Sequence, residues 1–193
     1  MGSYRFLLGP LRTQAAFLVV GVALIYVTGI TPNNDGLQTA VAVAAGLSIG
    51  AIAFIVVLLF SRSPTKIGEV FRKRVQGISI VLGSLPIPAI LALSLIVGAS
   101  EELLFRGVLQ GWLVENVHYS VGIILSAIIF GLLHFGSAST FIFTSLYGLM
   151  FGVAYHLTES IAFVMIWHAA YDFIALLFIA KAPQYFSIRQ CGA

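Results

Sequence analysis

The stretch "PAILALSLIVGASEELLFRGVLQGW", residues 88–112, decides the fold. It is long enough to cross a hydrocarbon core, which takes roughly 20 helical residues, and it is apolar except for Glu101, Glu102 and Arg106. No soluble helix would be greasy on every face, and no simple membrane anchor would carry three charges at its centre. The rest of the chain follows the same pattern. Of 193 residues, 60% are hydrophobic and 9% charged, against roughly 45–50% apolar content in ordinary soluble domains. These proportions predict an all-α, polytopic transmembrane helical bundle. A chain of this length forms one integral membrane domain, residues 1–193, with no room for a separate soluble domain.

Six spans are expected, over residues 14–31, 38–61, 88–112, 119–136, 139–157 and 160–181. The apolar stretch before the third, near 78–87, is broken by Pro86 and Pro88. Proline removes a backbone donor and pushes the preceding residue out of the helical region, so a short interfacial or re-entrant helix is expected there, followed by a fresh start. Arg5 and Arg12, then Arg62, Lys66, Arg72, Lys73 and Arg74, then Lys181 and Arg189 all fall in segments on one side of this arrangement. The other side carries Asp35, Glu115 and Glu159 and no Lys or Arg. By the positive-inside rule both termini lie in the cytoplasm, and the expected location is the inner membrane of a prokaryotic cell. The net charge of +3 is explained by the same loops, so nucleic acid is not an expected partner; membrane lipids are.

Several signals at the ends read as bland. The one cysteine, Cys191, makes no internal disulfide and stands third from the end, where a prenylation signal needs it fourth. The first apolar run lacks a small-residue cleavage site and is expected to remain as a transmembrane helix. The start "MGSYRF" lacks the Ser or Thr that a myristoylation motif wants at its sixth position. Gly46 and Gly50, and Gly148 and Gly152, are spaced for close helix packing in lipid.

Charges at membrane depth are costly. The last four spans hold Glu101, Glu102, Arg106, His134, His168 and Asp172, and leaving the four formal charges uncompensated would cost on the order of 10 kcal/mol on insertion scales. Residues four apart share a helix face, so Glu102 and Arg106 can form an ion pair. Glu101 then points about 100° away, without a local partner. His134 lies four residues after Phe130, and His168 four before Asp172. His118 and His156 sit beside Tyr119 and Tyr155 at span boundaries, where amphipathic rings belong. Two histidines and an unpaired glutamate on three neighbouring helices can hold a water, with the carboxylate as general base and a second histidine facing a developing oxyanion. That is equipment for hydrolysing an amide.

"EELLFR", "FGLLH" and "HAAYD" resemble the EExxxR, FxxxH and HxxxN/D motifs of the CaaX protease and bacteriocin-processing (CPBP) family, which includes the type II CaaX prenyl endopeptidases. The resemblance covers roughly residues 88–181. It implies a glutamic-type intramembrane endopeptidase needing no metal and no cofactor: Glu101 the base, His134 helping to position the water, Glu102 and Arg106 in support, Phe130 packed beside them, and His168 with Asp172 on the oxyanion side. The prenyl proteases typically have Asn in place of Asp172. An ionised Asp cannot donate a hydrogen bond, so Asp172 is expected instead to orient His168 and pair with its charged form. The substrate would be a membrane-associated peptide or protein, such as a prenylated peptide, a bacteriocin or pheromone precursor, or a C-terminal sorting signal. A zinc metalloprotease is a rival reading, although no HExxH motif is present. A non-catalytic immunity or scaffold protein of the same family is another. A proton-coupled transporter is the least favoured, having too few helices and no inverted repeat.

Overall fold

The computed structural model describes residues 5–187. Arg189, Cys191 and the first four residues lie outside the described residues, with the expectations placed on them. The described chain is helical throughout, with short connections and no strand among the described residues. A single turn of 3₁₀ helix, Arg5–Leu7, leads into α1 (Leu8–Thr28), followed by α2 (Thr39–Ser61), α3 (Lys66–Leu82) and α4 (Ile87–Glu102). A π-helical segment, Leu103–Gln110, joins α4 to α5 (Gly111–Asn116) without interruption. Then come α6 (Tyr119–Leu133), α7 (Ala138–Thr158), α8 (Ile161–Lys181) and a last 3₁₀ turn, Pro183–Phe186.

Five of these rods are long and apolar enough to cross a membrane: α1, α2, the continuous helix Ile87–Asn116, α7 and α8. The sixth apolar helix, α6, is shorter. Six expected spans therefore correspond to six apolar helices, with two shifts of consequence. The first helix starts at Leu8 rather than near Gln14, which moves Gln14 from a boundary into the helix body. The third extends to Asn116.

The region near 78–87 does not form a helix of its own. Residues 78–82 are the last turn of α3, which begins in what reads as a charged connecting loop. The Thr65 side chain caps its start by accepting from the Gly68 amide at 3.3 Å. Val75 and Leu82 are buried, with Phe71 and Ile78 half-buried on the same stripe, while Lys66, Glu69, Lys73 and Arg74 are exposed. One apolar stripe and one charged face make α3 an amphipathic helix lying against the bundle. Lys73 holds Glu69 in a 2.6 Å ion pair, and that ammonium lowers the Glu69 carboxyl below its ordinary pKa. Pro86 caps α4 and Pro88 occupies its first turn, where proline costs no intrahelical bond.

The basic segments do share one end of the bundle. There Arg62 Nε donates to the Tyr185 carbonyl at 2.6 Å, Arg74 Nη1 to Thr140 Oγ1 at 2.6 Å, and Lys181 Nζ to the Gly83 carbonyl at 2.9 Å. At the opposite end α1 stops on Gly29, whose φ of +74° suits a residue without Cβ. The following loop ties to the α7–α8 turn through Asn33 N–H to Tyr155 Oη at 2.7 Å and Ile161 N–H to the Asn33 carbonyl at 2.9 Å.

Helix α8 lies between α2 and α4, because each offers it glycine. A Cβ on Gly46 would come 2.8 Å from Ile166 Cγ2, one on Gly50 2.7 Å from Ala170 Cβ, and one on Gly98 2.9 Å from the Met165 carbonyl oxygen. Lipid supplies no hydrophobic drive between apolar helices, so close approach of small residues is what holds such a seam. Gly50→Leu should therefore cost about 1–3 kcal/mol through overpacking, read as a lowered unfolding temperature in detergent. Gly77→Ala, inside α3 with nothing within 4 Å of its added Cβ, should leave that temperature unchanged or raise it slightly, because alanine is the better helix former.

Candidate active site

The π segment carries the ionic centre of the protein. Its i→i+5 winding is a rare local widening of the α-helix. Within it Arg106 and Gln110, four residues apart, both reach α7: Arg106 Nη2 donates to the Gly148 carbonyl and Gln110 Nε2 to the Gly152 carbonyl, each at 2.9 Å. The Gly148/Gly152 pair is thus more than a packing stripe. A Cβ at 148 would stand 3.1 Å from Arg106 Nη2, and one at 152 would stand 2.6 Å from Gln110 Oε1. Glycine at both positions lets two buried polar side chains approach α7 backbone acceptors.

Arg106 and Glu102 are both fully buried. The guanidinium lies 3.3 Å (Nη1) from Glu102 Oε1 and 3.2 Å (Nε) from Oε2. Its Cζ sits 4.5 Å from the Phe130 ring centroid, 5.4 Å from Phe151 and 5.9 Å from Phe105. Three aromatic faces, a carbonyl and a carboxylate surround one cation. Phe130 accordingly has two contacts with the polar groups, since the His134 ring also rests 4.5 Å from it.

Glu102 has a second partner. His168 Nδ1 lies 2.7 Å from Glu102 Oε1, and its ring stacks on Phe151 at 5.0 Å with a 19° interplanar angle. The expected orienting contact, from Asp172, is looser: Asp172 Oδ2 stands 3.7 Å from His168 Nε2, beyond hydrogen-bond length. Glu102 orients this histidine, and Asp172 faces the ring's other nitrogen. A carboxylate has two oxygens and about four lone-pair sites, so pairing with Arg106 did not exhaust it.

Glu101 is 2% exposed, and its oxygens are differently occupied. Oε1 accepts from Gln14 Nε2 of α1 at 2.8 Å. Oε2 faces His134 Nε2 at 3.7 Å and His168 Nε2 at 4.0 Å. His134 Nδ1 is taken by the Phe130 carbonyl at 2.8 Å, which fixes its Nε2 toward Glu101. All seven residues singled out in the sequence thus meet in one cluster drawn from α4, the π segment, α6 and α8. Among the described residues, no three His, Cys, Asp or Glu side chains are grouped closely enough to hold a metal ion together.

The cluster is open on one side only. The His134 side chain is 32% exposed and Asp172 23%, against 8% for His168 and 3% for Glu101. His134 caps the end of short α6 and Asp172 lies one turn beyond His168 along α8, so both open toward the basic end of the bundle. Gln14 and Ser100 belong to the cluster and were not singled out in the sequence. Their signal was the burial of polar side chains in apolar helices, which for Gln14 was hidden by placing it at a helix boundary.

Residues 83–174 match the model of the family described as type II CAAX prenyl endopeptidase Rce1-like. This segment, just under half of the chain, is similar to that family. It spans α4 through most of α8 and contains every residue of the three motifs, in agreement with the resemblance read from them. No curated protein and no solved structure matches the chain. The long apolar helices describe an integral membrane protein; α1 to α3 lie outside the matched residues.

Removing one partner of a buried ion pair strands the other, at about 3–5 kcal/mol. Arg106→Leu should therefore destabilise the bundle by about that amount, measured by thermal unfolding in detergent. Glu102→Gln combined with Arg106→Leu should recover part of the loss, because the stranded charge is gone.

Proposed function

We propose that the protein is an intramembrane endopeptidase that hydrolyses a peptide bond of a membrane-associated substrate with a water activated by Glu101 and His134. The observation that carries this reading is the pair of distances at Glu101 Oε2, 3.7 Å to His134 Nε2 and 4.0 Å to His168 Nε2, while Oε1 is already taken by Gln14. Polar atoms at such separations are too far apart for a direct hydrogen bond and suit a bridging water. With Nδ1 committed to the Phe130 carbonyl, His134 Nε2 can accept from that water. The water then donates one hydrogen bond to His134 and one to Glu101, which leaves an oxygen lone pair free to attack.

The attack forms a bond between the water oxygen and the substrate carbonyl carbon, and Glu101 receives the proton. The carbonyl oxygen becomes an oxyanion. His168, held at Nδ1 by Glu102 and faced by Asp172, supplies Nε2–H to it as the imidazolium. Collapse of the intermediate breaks the C–N bond, the amine leaves with the proton from Glu101, and the new carboxylic acid gives its remaining proton to His134 as it ionises, so that the products are a carboxylate and an amine. The ion pair with Arg106 keeps Glu102 in place through these steps.

The substrate approaches from the basic end, where His134 and Asp172 are exposed. By the positive-inside rule this is the cytoplasmic side of a prokaryotic inner membrane, with both termini there. A lipidated peptide tail or a C-terminal sorting signal fits a site sunk below that surface.

Comparison of protein termini in membranes of cells carrying wild type or Glu101→Ala tests the reading. Specific membrane-associated proteins should keep longer termini with the variant, and His134→Ala and His168→Ala should leave the same proteins uncut. Rates should fall by about 10²–10⁴. Asp172→Asn should fall by no more than about tenfold, because Glu102 already orients His168. An unchanged set of termini in Glu101→Ala, or cleavage abolished by chelators and restored by zinc, would overturn the assignment.

A further inference from the structure

We infer that Gln14, in a helix outside the Rce1-like segment, is a positioning residue that fixes the plane of the Glu101 carboxylate so that one oxygen faces the histidines. The proposal rests on the catalytic reading of Glu101. Helix α1 packs on the bundle through Phe17 and Leu24, which rest on the Leu104, Phe105 and Phe130 cluster. Gln14 and Gly21 are its two buried residues, and Gln14 is the polar one. A polar side chain 7% exposed in such a helix needs partners, because an unsatisfied buried amide costs a few kcal/mol.

Gln14 has partners for both ends of its amide. Ser100 Oγ lies 2.6 Å from Gln14 Oε1, and Gln14 Nε2 lies 2.8 Å from Glu101 Oε1. A glutamine amide can be flipped by 180°, placing its oxygen against the carboxylate. The ionised Glu101 carboxylate removes that ambiguity, because it can only accept and so takes the NH₂. The single Ser100 hydroxyl proton is shared between the Gln14 amide oxygen at 2.6 Å and the Ile96 carbonyl at 2.7 Å, which anchors Ser100 on α4.

The consequence falls on Glu101. A carboxylate free to spin about its terminal torsion presents either oxygen to its surroundings. With Oε1 tied to Gln14, Oε2 is the one left between His134 and His168. Gln14 touches neither histidine and lies behind the carboxylate, so it acts through Glu101 rather than on the reacting atoms. Docking of α1 and alignment of the base are thereby one event.

The test is Gln14→Leu, which keeps most of the volume and removes the donor, together with Ser100→Ala and Gln14→Asn, measured on the proteins whose termini depend on Glu101. The expected result for Gln14→Leu is a fall in kcat of about 10–100-fold with KM within twofold, in a protein that still unfolds cooperatively in detergent at a somewhat lowered temperature. Ser100→Ala should give a smaller fall in kcat, and Gln14→Asn should recover part of the Leu variant's loss. A second readout does not need a substrate: modification of Glu101 by dicyclohexylcarbodiimide, followed by mass spectrometry. Freeing Oε1 should raise that rate several-fold in Gln14→Leu. A folded Gln14→Leu protein with wild-type kcat, or with a wild-type carbodiimide rate, overturns the positioning role. If Glu101→Ala cuts as wild type does, the protease reading has failed, and the carbodiimide rate still decides whether Gln14 governs the carboxylate.

Discussion

The buried ion pair and its link to α8 both depend on one carboxylate, Glu102. It is fully buried and faces the Arg106 guanidinium on one side and His168 Nδ1 on the other. Either contact alone would be unremarkable in a membrane helix. Shared, they lock the π segment to α8, and Arg106 extends the link to α7 through the Gly148 carbonyl. The chain can carry these groups at membrane depth because each charge meets an opposite charge, an aromatic face or a backbone acceptor before it meets lipid. Glu102 is thereby consumed by structure, which is what leaves its neighbour Glu101 available for chemistry.

The two adjacent glutamates have different environments because they sit on a helix. A step of one residue rotates the side chain by about 100°, so Glu102 turns toward Arg106 and His168 while Glu101 turns toward Gln14, with one oxygen left facing the histidines. The π winding begins immediately after the pair. It is the stretch in which a long cation and an amide are threaded against α7, and the two glycines of α7 are what make room for them.

Much of this could be read from the sequence for a plain physical reason: lipid makes charge conspicuous. Six apolar runs stand out because nothing else in the chain is so uniform, and the buried residues of the cluster stand out against them. Spacing of four gave the Glu102–Arg106 pair, which depends only on helical geometry. What spacing could not give was any contact between helices. The hydrogen bond from His168 to Glu102 crosses from α8 to α4, so the sequence pointed to the nearer Asp172 instead. Helix α3 was hidden because charge on one face of an interfacial helix looks like a loop when the expected pattern is a uniformly apolar span. Gln14 was missed because an uncharged amide at the edge of an apolar run carries no alarm until its burial is known.

The asymmetry of access follows from helix length. Helix α6 spans 15 residues, from Tyr119 to Leu133, whereas its partner α7 spans 21, a difference of about 9 Å at 1.5 Å per residue. Both reach the acidic end of the bundle, so α6 must fall short at the basic end. His134 stands where it stops, and the rest of the cluster lies against this gap. A full-length α6 would bury the histidine; a much shorter one would uncover the Glu102–Arg106 pair. The truncation therefore leaves His134 exposed beside Glu101 while the ion pair behind it is fully buried.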